Sequence, residues 1–278
     1  MALNLPTFYK RTASAAVFAA VMLTGLLYNE WSFLALVALI NFLCIREYFR
    51  LMPLIIKDTH WPGWLLPAMQ VVSAAILTLY FLHVFPAVGA GFDSVKKLMP
   101  LMLFALPLLL ASGALQKQTA VSAVMQAFGG LVYVTLPLML LLDLRSHDLL
   151  LPIMLILMIW MNDTMAYLVG SFIGKTPFSP ISPKKTWEGT AGGAVLAVVG
   201  AVVVYYYTHK FRLMDWVVLS LCAAIMGTIG DLLESKLKRL AEVKDSGAIM
   251  PGHGGALDRF DSLLLATPFA AAYIMLFW

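Results

Sequence analysis

Residues 149–171 read LLLPIMLILMIWMNDTMAYLVGS, a run of 23 residues in which the one charged side chain is Asp163. A helix of about 20 mostly apolar residues crosses a bilayer, and irregular backbone is not tolerated against lipid. The stretch therefore reads as a membrane-spanning helix. Asp163 inside it must face water, a partner or a ligand, because a lone charge in hydrocarbon is costly. Working outward with the same criterion gives about nine spans, near 13–28, 31–50, 63–83, 98–115, 122–142, 149–171, 189–208, 214–235 and 262–278. Apolar residues make up 61% of the 278 and charged ones 12%, the latter about half the ~25% of a soluble domain. That balance excludes a soluble globular protein, a disordered chain and a disulfide-stapled secreted domain. The expected fold is all-α, a polytopic integral membrane protein with about nine transmembrane helices and a cytoplasmic N-terminus.

Orientation follows from Lys and Arg. With the N-terminus inside and nine alternating spans, fourteen basic residues fall on the cytoplasmic side and five (Lys96, Lys97, Arg145, Lys210, Arg212) on the other. Trp278 then meets the outer interface. Lys10 and Arg11 precede the first span as they would in a secretion signal, but only Asn29 and Glu30 separate it from the second, so a retained hairpin is expected. Lys10, Arg11, Arg46 and Arg50 fit insertion and lipid headgroups alone. Cys44 and Cys222 lie in apolar runs and read as small buried hydrophobes. Nothing in the pattern calls for nucleic acid as a partner.

Two segments assigned to the cytoplasmic side are too polar to be mere connectors. One holds Asn162, Asp163 and Thr164, then Ala166, Tyr167 and Gly170, then Ser182-Pro-Lys-Lys-Thr-Trp-Glu-Gly189. The other runs from Gly230-Asp231 through Glu234, Ser235, Lys238, Arg239, Lys244 and Asp245 to His253-Gly-Gly255, Asp258, Arg259 and Asp261. Asp231, Glu234, Ser235 and Lys238 share one helical face. Asp258 and Asp261 stand three apart before the last span. Two helix ends carrying carboxylates, joined by a basic loop, can offer oxygen ligands to Mg²⁺, while Lys and Arg suit phosphates. Gly174-Lys175-Thr176 is not a P-loop, since Val169 replaces the required glycine and a helix precedes it. Glu47, after Arg46, reads as a local structural or interfacial pair. Ser182 has the chemistry to cap a short helix with Pro183 at its first position.

Ser235-Lys-Leu-Lys-Arg239, Lys244-Asp245, His253-Gly-Gly255, Asp258-Arg259 and Asp261 together span 27 residues and resemble the signature of the phosphatidate cytidylyltransferases (CDP-diacylglycerol synthases). The 182–189 and 162–167 segments resemble two further parts of that family, so the likeness covers the last 120 or so residues. Ala256 stands where the family more often has a larger apolar residue. The resemblance implies a membrane enzyme that joins CTP to phosphatidic acid, releasing pyrophosphate and CDP-diacylglycerol. It implies one or two divalent ions, Mg²⁺ being expected, with a monovalent ion as a further candidate. Metal ligation falls to Asp231 and Asp258, with Asp261 in support. Lys244 and Arg259 join the two aspartates as catalytic residues. Substrate contacts fall to Asp163, Ser182, Lys184, Lys185, Thr186, Lys238, Arg239, His253, Gly254 and Gly255. Residues 1–120 are expected to form N-terminal transmembrane helices, with a homodimer contact left open, and 121–278 the catalytic region. The expected place is the cell inner (plasma) membrane, multi-pass, with the active site facing the cytoplasm. The alternatives are a CTP-dependent polyprenol or lipid kinase, which would release CDP, and a secondary transporter using intramembrane carboxylates. A CDP-alcohol phosphotransferase lacks its Asp-Gly-x-x-Ala-Arg pattern here.

Overall fold

In lipid every backbone amide must be satisfied within its own segment, and the chain meets that demand with helices. The computed structural model describes the backbone of residues 5–57, 59, 61–92, 121–248 and 254–278, with side chains from 16 onward in the first helix and from 122 after the gap. Among these residues, seven helices are long and apolar enough to cross a membrane. They are α2 (Glu30–Ile55), α3 (Leu65–Val84), α4 (Ser122–His147), α5 (Leu150–Ile173), α6 (Trp187–Thr208), α7 (Leu213–Leu240) and α8 (Leu257–Phe277). The helix before them, α1 (Leu5–Leu27), has a described apolar part of Ala16–Leu27. The chain is an all-α polytopic membrane protein. The expected span at 98–115 lies outside the described residues.

The chain divides into two compact units, Met1–Leu142 with Leu240–Arg259, and Asp143–Arg239 with Phe260–Trp278. In the first, Asn29 starts α2 with a capping box: its side chain accepts from Ser32 N at 2.7 Å, and Ser32 Oγ accepts from Asn29 N at 3.0 Å. A polar chain crosses the core, where Asn41 Nδ2 donates to Ser73 Oγ (2.8 Å) and Thr135 Oγ1 donates to Asn41 Oδ1 (2.8 Å). All three residues are buried, so each partner prevents an unsatisfied group in an apolar interior. Thr135 closes a π-helical turn, Leu131–Thr135, in α4.

In the second unit, α5 and α6 pack through small residues. Gly189, Gly193, Ala197 and Ala201 recur every four positions and are the buried residues of α6, a stripe that lets two backbones approach closely. A Cβ at Gly193 would stand 2.7 Å from the Asn162 carbonyl oxygen and 2.8 Å from Ala166 Cβ. Between these helices lies an antiparallel hairpin, β1 (Pro177–Ser179) and β2 (Ser182–Thr186), with Ser179 opposite Ser182. Ser182 is thus a strand residue and not the helix cap that its chemistry also allows. The cap is Thr186, whose hydroxyl accepts from Gly189 N at 3.1 Å. Glu188 reaches back to accept from Thr176 Oγ1 (2.8 Å), Lys175 N (3.1 Å) and Thr176 N (3.1 Å), tying the hairpin entry to the helix start. In α7 a second π turn, Cys222–Met226, directly precedes Gly227 and Asp231. Such turns often mark functional segments.

Candidate active site

Gly230 and Asp231 decide the geometry of the second unit's polar end. A Cβ at Gly230 would fall 2.5 Å from the Asp261 carbonyl oxygen, so only glycine lets α7 lie this close to α8. That approach brings Asp231 and Glu234 of α7 together with Asp261 of α8, each offering a carboxylate oxygen within 4.8 Å of the others. Glu234 is fully buried and Asp261 nearly so. Three carboxylates in such a place repel one another and require cations. Two lysines answer: Lys185 from β2 forms an ion pair with Asp231, and Lys238 approaches Glu234 Oε2 at 2.6 Å. Formally this leaves one negative charge in excess. All-oxygen donors with a charge excess suit a hard divalent ion such as Mg²⁺.

Beside this cluster lies a cavity of about 460 Å³ whose lining includes Asp163, Ser182, Lys184, Lys185, Thr186 and Asp231. Asn162 stands there too. Its Nδ2 donates to Asp163 Oδ1 at 3.4 Å, and its buried Oδ1 has no hydrogen-bond partner among the described residues. The sequence-derived residues of the 160s, the 180s and α7 therefore meet in one place. Thr186 reaches the cavity while its oxygen caps α6. Lys238 is engaged with Glu234, and Arg239 is exposed in the last turn of α7.

The first unit holds the rest of the signature. Asp258 Oδ2 accepts from Gly255 N (2.7 Å), Ser246 Oγ (2.9 Å) and Ser246 N (3.0 Å). Glu47 of α2 accepts from Leu257 N (2.8 Å) and Ala256 N (2.9 Å), two of the donors a helix start leaves without intrahelical partners. Ser246 Oγ also stands 2.7 Å from Glu47 Oε2, so its single proton serves one carboxylate at a time. The glycines now have reasons. Gly254 has φ +81°, and Gly255 leaves the space that Glu47 and Ser246 occupy. Lys244 and Arg259 are exposed. His253 lies outside the described residues.

Glu47 was missed by the sequence reading, which paired it locally. Among the described residues it makes no ion pair with Arg46; it is 4% exposed and closes the signature loop from 199 to 210 positions away. The signal was available: a lone carboxylate near the end of an apolar span, the pattern that singled out Asp163.

The pattern of the cytidylyltransferase family matches residues 9–277. A phosphatidate cytidylyltransferase of Bacillus subtilis (strain 168) is 46% identical over 121 residues, 43% of this chain and 45% of that protein. One from Staphylococcus aureus (strain COL) is 41% identical over 139 residues, 49% and 53% of the two chains. One from Staphylococcus haemolyticus (strain JCSC1435) is 44% identical over 115 residues, 40% and 44%. The chain spans about half the length of the curated relatives it matches.

Proposed function

The chain belongs to the cytidylyltransferase family, and from that premise we propose that it transfers the cytidylyl group of CTP to phosphatidic acid, giving CDP-diacylglycerol and pyrophosphate. The observation that carries this reading is the cluster of Asp231, Glu234 and Asp261, only partly neutralised by Lys185 and Lys238, beside a cavity lined by Lys184 and Lys185. Such a site suits polyphosphate chemistry in a helical membrane protein.

An oxygen of the lipid phosphate attacks the α-phosphorus of CTP, the bond to the β-phosphate oxygen breaks, and pyrophosphate leaves. The nucleophile is already anionic near neutral pH, so alignment and charge neutralisation matter more than a general base. Asp231, Glu234 and Asp261 would hold a divalent ion, with Mg²⁺ the proposed one. When bound, it supplies positive charge to the nucleotide phosphates and the leaving pyrophosphate. Lys185 pairs with Asp231 and would turn to a phosphate oxygen where a divalent ion holds that carboxylate. Lys184, with Ser182 and Thr186, forms a phosphate-facing wall on the hairpin. Lys238, Arg239, Lys244 and Arg259 are proposed to contact phosphate oxygens of either substrate. Asp163 is held beside the cavity by Asn162 and orients the groups that bind there.

The fourteen-to-five distribution of basic residues supports a cytoplasmic site in a cell inner membrane, where CTP arrives from water and the lipid from the bilayer. The test is pyrophosphate release by the purified protein with CTP, Mg²⁺ and phosphatidic acid, omitting each in turn. Release that requires all three is expected. Release of CDP with transfer of the γ-phosphate to a lipid alcohol, or no nucleotide turnover by folded protein, would contradict the proposal.

A further inference from the structure

Arg46 and Arg50 stand one turn apart on α2 and are both exposed. Among the described residues neither makes an ion pair. Glu47, the carboxylate between them in sequence, is already committed to Ser246, Ala256 and Leu257. The two arginines border a cavity of about 510 Å³ in the first unit, whose other walls include Phe49, Leu66, Gly247 and Ala248. Two signature-loop residues therefore face the same space as two arginines from the second helix.

Depth narrows the ligand. At 1.5 Å per residue, Arg46 lies about 24 Å and Arg50 about 30 Å along α2 from Glu30. The hydrocarbon core is about 30 Å thick, so the pair spans the level where acyl chains give way to headgroup phosphates. Two arginines can fork onto the several oxygens of a phosphomonoester and match its double charge. A phosphodiester headgroup carries one charge and fewer free oxygens. Phe49 and Leu66 offer apolar surface for the glycerol and the first acyl carbons.

We infer that Arg46 and Arg50 form a binding site for the phosphate of a lipid phosphomonoester, beside the Gly247–Ala248 part of the signature loop. By sequence these residues fit a general role in insertion and headgroup contact. The cavity and the loop make the site specific. The inference rests on the proposal that the lipid substrate is phosphatidic acid, and it adds residues distant in sequence from the signature to that substrate's recognition.

Binding without turnover tests it. The purified full chain is titrated with dihexanoyl phosphatidic acid, dihexanoyl phosphatidylglycerol and CTP separately, in the unaltered protein and in R46A/R50A and R46K/R50K variants. The expected result is an affinity for the phosphatidic acid weakened about tenfold or more in R46A/R50A, as loss of charged hydrogen bonds implies. The lysine pair should lose less, because it keeps the charge without the fork. CTP affinity should stay within about twofold, and the thermal unfolding midpoint should hold, since both side chains are exposed. Unchanged phosphatidic acid affinity in R46A/R50A would overturn the inference. So would equal binding of the phosphatidylglycerol by the unaltered protein, or a loss confined to CTP. Failure of the catalytic reading is separable: it would appear as no pyrophosphate from the unaltered protein, whatever the titrations give.

Discussion

Glu47 ties the ends of the signature loop to a helix 199 to 210 positions away, and its removal has a calculable consequence. Glu47→Ala leaves the Ala256 and Leu257 amides without that acceptor in a buried place, at about 1–3 kcal/mol for each unsatisfied group. We expect a destabilisation of roughly 3 kcal/mol, read as a lower unfolding midpoint, together with lost turnover; an unchanged midpoint would refute the role. At the acidic cluster, Asp231→Asn and Asp261→Asn should each lower kcat/KM by about 10²-fold or more while the protein stays folded. Turnover that survives in both at ordinary Mg²⁺ would remove the cluster from the reaction. Asp258→Asn should also lose activity. An unchanged Mg²⁺ requirement at reduced turnover would assign that carboxyl to shaping the loop with Ser246 and Gly255, and not to the ligation its resemblance implies. Individual residues were unevenly legible. Asp231 and Asp261 stood out because charges at the ends of apolar spans are costly. Glu47 carries the same signal, but its partners are so distant in sequence that no spacing rule could name them.

Helices were the most legible elements, because membrane thickness sets their length and lipid forbids other backbone. The hairpin was not. Ser182-Pro183 reads equally well as a helix start, and the structure resolves the choice by giving the cap to Thr186 and the brace to Glu188. The two π turns have no sequence signature in a uniformly apolar run. Close packing of α5 on α6 leads to a prediction at this scale. Gly193→Leu would drive its side chain into the Asn162 carbonyl and Ala166, costing at least the 1–3 kcal/mol of overpacking. Because Asn162 borders the cavity, turnover should fall along with stability. Full activity in that variant would show that the α5–α6 contact does not set the site.

For the molecule as a whole, composition establishes membrane residence, and the Lys and Arg distribution gives an orientation to be tested. With Cys44 and Cys222 replaced by serine, Lys236→Cys should react with an impermeant maleimide only after the cytoplasmic side is exposed, and Lys210→Cys from outside in intact cells. The reverse pattern would invert the topology and remove CTP from the proposed site. What sequence could not supply at this scale was the division of the signature between two compact units. Residues from Leu240 to Arg259 belong with the N-terminal helices, whereas those up to Arg239 and from Phe260 belong with α5–α7. Adjacent residues in sequence give no hint of such a boundary inside one helix.

Label transfer tests the central claim most directly. The purified protein is given phosphatidic acid and Mg²⁺ with CTP labelled at the α-phosphate or, separately, at the γ-phosphate. Cytidylyl transfer predicts that the α label enters the lipid and the γ label leaves in pyrophosphate. The γ label in the lipid, or no label in the lipid from either CTP, would contradict it.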